Sequence, residues 1–137
     1  MVRQALKITA DTNILIRAVV QDDPTQARAA IAEMEKAEVI AVTLPTLCEF
    51  VWVLTRAYDF SRADIAMAVE ALTSVAKVAM ERPAAEAGLA VFKAGGDFAD
   101  GVIAFEGRRL GGETFVSFDQ RAVRVLGDQG LPARLAD

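Results

Sequence analysis

Histidine is absent from this sequence. Its absence removes the commonest general base, the serine–histidine–aspartate triad and every histidine-based zinc site. Cysteine occurs once, as Cys48 between Leu47 and Glu49. One cysteine excludes an internal disulfide, and its apolar neighbours predict a core thiol. No apolar run approaches the roughly 20 residues that span a bilayer. The N-terminal stretch MVRQALKITADTN lacks the apolar segment of a secretory signal. Repeats, linkers and low-complexity segments are missing too. The chain therefore reads as cytoplasmic with no membrane partner, and any catalysis must run on carboxylates, hydroxyls, lysine or a bound metal.

What is present fits one compact domain over residues 1–137, with 53% hydrophobic residues to build a core without staples. The formal net charge is −4. Nucleic-acid binding favours a basic surface, so this balance argues against it unless the acids are gathered in one place.

Short apolar runs alternate with amphipathic stretches, the pattern of βα units and a parallel sheet in a three-layer α/β fold. Strands are predicted at 6–10, 38–43, 75–80 and 114–117. Helices are predicted at 12–20, 25–36, 46–58, 62–72, 83–93, 98–110 and 120–126, with Ser61 capping the fourth. Gly95-Gly96 and Gly111-Gly112 punctuate the second half, and the chain from Gly127 onward reads as a tail.

Five acids occupy element ends that one parallel sheet could bring to one edge, the edge at which open α/β sheets bind ligands. Asp11 ends the first strand and Asp119 the last. Asp97 and Asp100 open the helix after the double glycine, and Glu49 opens the helix after the second strand. Each has a second explanation. Asp11, Asp97 and Asp119 suit helix N-caps, Thr46-Leu47-Cys48-Glu49 matches a capping box, and Asp100 suits the positive end of a helix dipole. The joint pattern points further. Asp11, Glu49 and Asp119 have apolar neighbours that predict partial burial, and clustered buried carboxylates repel unless a cation neutralises them. Along helix 98–110, positions 97, 100, 101, 104 and 107 share one side and are Asp, Asp, Gly, Ala and Gly. That bare face leaves room for a substrate backbone or for a closely packed helix.

Oxygen-only ligands suit Mg²⁺ or Mn²⁺, ions that activate water against phosphodiesters without a histidine. If the five acids hold a metal, the rest of the chain carries −4 − (−5) = +1, and the charge objection weakens. Arg108, Arg109, Arg121 and Arg124 are candidate phosphate contacts, although Arg108 and Arg109 also suit a helix C-terminus.

These residues resemble a known family. Asp11 in ADTN, Glu49 in LCEF, Asp100 in DFADGVIA and Asp119 in VSFD are similar to the acidic motifs of PIN domains, and DFADGVIA and SFD look like the VapC toxin branch. The likeness runs from the first strand to Asp119. It implies a three-layer α/β/α PIN-like fold with a central parallel sheet. It also implies a metal-dependent endoribonuclease acting as the toxin of a type II toxin–antitoxin pair, usually a homodimer silenced by a VapB-like antitoxin, with DNA reached only through that antitoxin. Residue by residue, Asp11, Glu49, Asp100 and Asp119 match the four acidic positions. Asp97 matches an auxiliary metal-binding acid. Thr12, Asn13 and Ser117 match positioning residues; Arg108 and Arg121, candidates by their place near the ends of the acid-bearing elements and not by the motif match, are added as substrate contacts. Gly101-Val102-Ile103-Ala104 keeps the D-x-x-I-A continuation after Asp100.

Two other classes compete. A phosphate-accepting signalling domain would use Asp11 with Mg²⁺, but needs a lysine at a late strand end, where TFVSFDQ offers none. A non-catalytic RNA-binding or protein-interaction module would use every acid as a cap. Leu47–Leu54 is apolar on more than one side, which marks Trp52 for an antitoxin or dimer contact.

Overall fold

The computed structural model describes residues 6–137, so the first five residues of the N-terminal stretch lie outside it. The chain divides into two compact units, Met1–Glu81 and Arg82–Asp137.

The first unit alternates strand and helix: β1 (Lys7–Thr9), α1 (Thr12–Val20), α2 (Pro24–Lys36), β2 (Val39–Ala41), α3 (Leu44–Arg56), α4 (Arg62–Ser74) and β3 (Val78–Ala79). The strands lie in the order β1-β2-β3, all parallel, with Ile8 opposite Ile40 and Ile40 opposite Val78. Short β-branched strands covered by helices bury their side chains on both faces. Ile40 and Val78 are accordingly buried with Leu15, Ile16, Leu47, Phe50, Leu54, Ile65 and Val69. Asp23 caps α2, whose first residue is Pro24, and Ser61 caps α4 as its sequence predicts. Lys77 closes the other end of α2, donating to the carbonyls of Met34 at 2.6 Å, Glu35 at 3.2 Å and Ala37 at 3.1 Å. A cation suits those carbonyls, which have no partner within the helix.

Most element boundaries shift by one to three residues from the sequence reading, and two of the shifts have a clear local cause. Helix α3 starts at Leu44, before Thr46. Thr43 is its cap, accepting from the Thr46 N–H at 3.4 Å, and Pro45 lies in its first turn, where the missing N–H does no harm. The capping box on Thr46 and Glu49 is therefore not formed, and Glu49 sits in the second turn. The third strand shrinks to Val78–Ala79 because Val75 still closes α4, its N–H donating to the Leu72 carbonyl.

The second unit holds α5 (Arg82–Lys93), α6 (Phe98–Arg109), β4 (Phe115–Ser117), α7 (Gln120–Asp128) and β5 (Ala133–Leu135). The segment read as a tail contains β5, which pairs parallel to β4 with Val116 opposite Arg134. Gly130, at φ +79°, turns the chain back after α7 into this strand. Hydrogen bonding thus groups the described strands into a sheet of three and a sheet of two, both parallel. Val91, Ala104, Val125 and Leu126 form the buried centre of this unit, with Phe115, Leu131 and Ala133 packed against it.

Helices α5 and α6 approach each other closely through glycine. A Cβ at Gly101 would stand 2.7 Å from both the Ala87 carbonyl oxygen and the Gly88 Cα. The bare position at 101 therefore admits a neighbouring helix. At Gly107 nothing lies within 4 Å of the added carbon, so the same stripe is open further along.

Candidate active site

In the first unit, Asp11 follows β1 and caps α1, its Oδ1 accepting from the Asn13 N–H at 3.0 Å. Thr12 behind it is buried, and Asn13 is exposed. Glu49 is exposed on α3 and makes no hydrogen bond or ion pair among the described residues. The burial expected for Asp11, Glu49 and Asp119 is not found, since all three are exposed. Apolar neighbours misled the reading for a local reason. On α3, Leu47 and Phe50 turn inward and Glu49 points out between them, while Phe118 beside Asp119 is itself exposed.

The second unit gathers three acids. Asp97 caps α6, with Oδ1 accepting from the Ala99 N–H at 3.2 Å. Asp119 caps α7, with Oδ1 accepting from the N–H groups of Arg121 at 2.9 Å and Ala122 at 3.1 Å. Ser117 fixes the approach to it, because its Oγ accepts from the Asp119 N–H at 3.0 Å. The two loops are held together by Arg121, which donates to the carbonyl of Gly95. That carbonyl lies in a left-handed turn at φ +98°, which suits glycine. Against the other side of this turn, a Cβ on Gly96 would come within 2.9 Å of Val125 on α7. Arg121, a candidate substrate contact from its place beside Asp119, thus has a loop-clamping bond, whereas Arg108 is exposed with no ion pair among the described residues.

Asp100 is the exception among these acids. It lies in the first turn of α6, half-buried, and its carboxylate accepts no hydrogen bond among the described residues. Burial pushes its carboxyl above the ordinary range, and the negative charges of Asp97 and then Asp119 push the same way. Asp97 and Asp119 each keep Oδ2 outside their caps. The three carboxylates are thus near enough to repel. Among the described residues, however, no three acidic side chains stand in the arrangement of one ion's ligand shell.

The raised Asp100 value fixes a sign. Folding binds this proton more tightly than the unfolded chain does, so ionisation opposes folding. The resulting penalty is absent below the ordinary aspartate range and grows as pH rises through the raised folded value. The Asp100→Asn protein should therefore melt at the same temperature as wild type in acid and above it at neutral pH, in metal-free thermal melts across that range.

The PIN domain family profile matches residues 8–127 of the chain. The match covers most of the sequence, and the chain belongs to the PIN-domain family, an α/β class with parallel strands whose members are commonly metal-dependent nucleases. No curated protein and no solved structure matches it. No helix among the described residues is long and apolar enough to cross a membrane.

Proposed function

We propose that this protein is a metal-dependent endoribonuclease, the toxin of a type II toxin–antitoxin pair, folded as a single PIN domain. The observation that carries the nuclease reading is Asp100: a half-buried carboxylate with no hydrogen-bond donor, pressed by Asp97 and Asp119, in a chain of a nuclease family. Such a group gains most from a hard divalent cation, and the donor set is all oxygen, as Mg²⁺ or Mn²⁺ prefers. Asp97, Asp100 and Asp119 would hold it, and the motif match adds Asp11 and Glu49 to the catalytic set. When bound, the ion lowers the pKa of a water and stabilises the leaving oxygen of a phosphodiester.

The chain's own residues do the positioning. Caps orient Asp97 and Asp119 before anything binds, leaving Oδ2 of each available. Ser117 holds the Asp119 backbone, Thr12 and Asn13 flank Asp11, and the exposed Arg108 offers a cation to a phosphate. The VapC-like motifs support a VapB-like antitoxin, a homodimer and a cytoplasmic setting. Trp52, 61% exposed on α3, is the contact assigned to such a protein partner.

One observation favours a non-catalytic module instead: Asp11, Asp97 and Asp119 all serve as N-caps. Incubating the full chain with RNA separates the two readings. The nuclease predicts cleavage in Mg²⁺ or Mn²⁺ that is lost in chelator and restored by added ion. Tight RNA binding without cleavage in either ion, and no heat of metal binding at millimolar concentration, would leave the module.

A further inference from the structure

We propose that Phe118 is a stacking platform for a base of single-stranded RNA, placed beside the carboxylates assigned to phosphodiester cleavage. The inference rests on the nuclease reading and adds a residue that would contact the substrate.

Phe118 is 87% exposed, the most exposed aromatic side chain among the described residues. It packs no core, yet its backbone is tied on both sides. Ahead of it, the Ser117 carbonyl accepts from the Ala136 N–H at 2.9 Å and the Ser117 hydroxyl accepts from the Asp119 N–H. Behind it, Asp119 caps α7 through two N–H groups. A bare ring on a fixed loop presents a flat apolar face with little ordering left to do on binding, which is what base stacking requires.

Its position supplies the second half of the case. Phe118 directly precedes Asp119, and the bond from Arg121 to Gly95 holds this loop to the turn that leads into Asp97. A strand whose phosphate reaches Asp119 passes the residue next to it in the chain, which carries the exposed ring. Only an unpaired base exposes its face, because duplex bases are stacked on each other and the A-form major groove is too narrow for side chains. Arg124, exposed on α7 with no ion pair among the described residues, offers a cation on the same helix for the backbone.

The test measures RNA binding by anisotropy in the Asp100→Asn background and cleavage with Asp100 intact. The Phe118→Ala protein should bind single-stranded RNA about 5- to 150-fold more weakly, the range of one stacked base. The loss in cleavage should fall on KM with kcat held, and Phe118→Tyr should restore both. An oligonucleotide lacking one base next to the cut should weaken binding to the Phe118 protein but not to Phe118→Ala, a coupling that a merely structural ring would not show. Normal cleavage and affinity in Phe118→Ala overturn the platform while leaving the nuclease standing. The same result with a dimer turned to monomer in sedimentation overturns it in favour of a protein interface. A wild-type chain that neither binds nor cuts RNA overturns both readings.

Discussion

Asp100→Asn is expected to lower metal-dependent RNA cleavage by about a hundredfold or more, the scale on which a single positioned carboxylate acts in catalysis, while the fold persists. The substitution is nearly isosteric, so the packing of α6 is unchanged. What disappears is one negative charge on the group whose charge is least tolerated. Burial, Asp97 and Asp119 all oppose ionisation of Asp100. Removing it relieves the metal-free fold and weakens the attraction for a cation together. Activity and stability should therefore move in opposite directions, a pattern that general damage to the fold does not produce. Calorimetry should show the loss of metal affinity alongside the lost cleavage. Unchanged cleavage would remove Asp100 from the catalytic set and, with it, the observation on which the nuclease reading stands.

The capping acids allow a complementary comparison. Asparagine caps a helix as well as aspartate does. Asp97 and Asp119 can lose their charge without losing their bonds to Ala99, Arg121 and Ala122. If these acids only tie down helix starts, asparagine satisfies every function they have. If they also bear on a cation, the charge matters and the cap does not. The double meaning of such residues is a physical one, since a helix N-terminus attracts a carboxylate whether or not a ligand follows.

That double meaning also marks how far the sequence could be read. The alternation of strand and helix was legible because each apolar run, such as Val39–Ala41, carries its own signal. The strand-end positions of Asp11 and Asp119 were legible for the same local reason. Strand β5 was not: Ala133–Leu135 has no β-branched residue, and β4 supplies its pairing. The start of α3 was misplaced because two threonines compete for it, and Thr43 wins with Pro45 in the first turn. Exposure of Asp11, Glu49 and Asp119 depends on what each side chain faces across space, which near neighbours in sequence do not reveal. The Asp100 environment is likewise a product of the α6 and α7 caps meeting in three dimensions.

The largest stability effect is expected at Gly101, where sequence spacing left two explanations open. Positions 101 and 107 lie on the same bare stripe of α6, yet their surroundings differ. At Gly101 an added carbon meets the Ala87 carbonyl oxygen and the Gly88 Cα, each at 2.7 Å, and the Val91 Cβ at 3.0 Å. The first two are backbone atoms, so no rotamer change can make room and the helices must move apart. Gly101→Val should cost about 3 kcal/mol, the upper end of core overpacking, and lower the melting temperature by about 10 °C. At Gly107 the space is open. Gly107→Ala should be neutral or stabilising by up to about 1 kcal/mol through helix propensity. Melting curves of the two variants distinguish the roles of the stripe. Were it bare for a substrate along its whole length, both variants would keep their stability and lose cleavage together. The close approach at Gly101 instead ties that glycine to the packing of α5 on α6, and through α6 to the placement of Asp100.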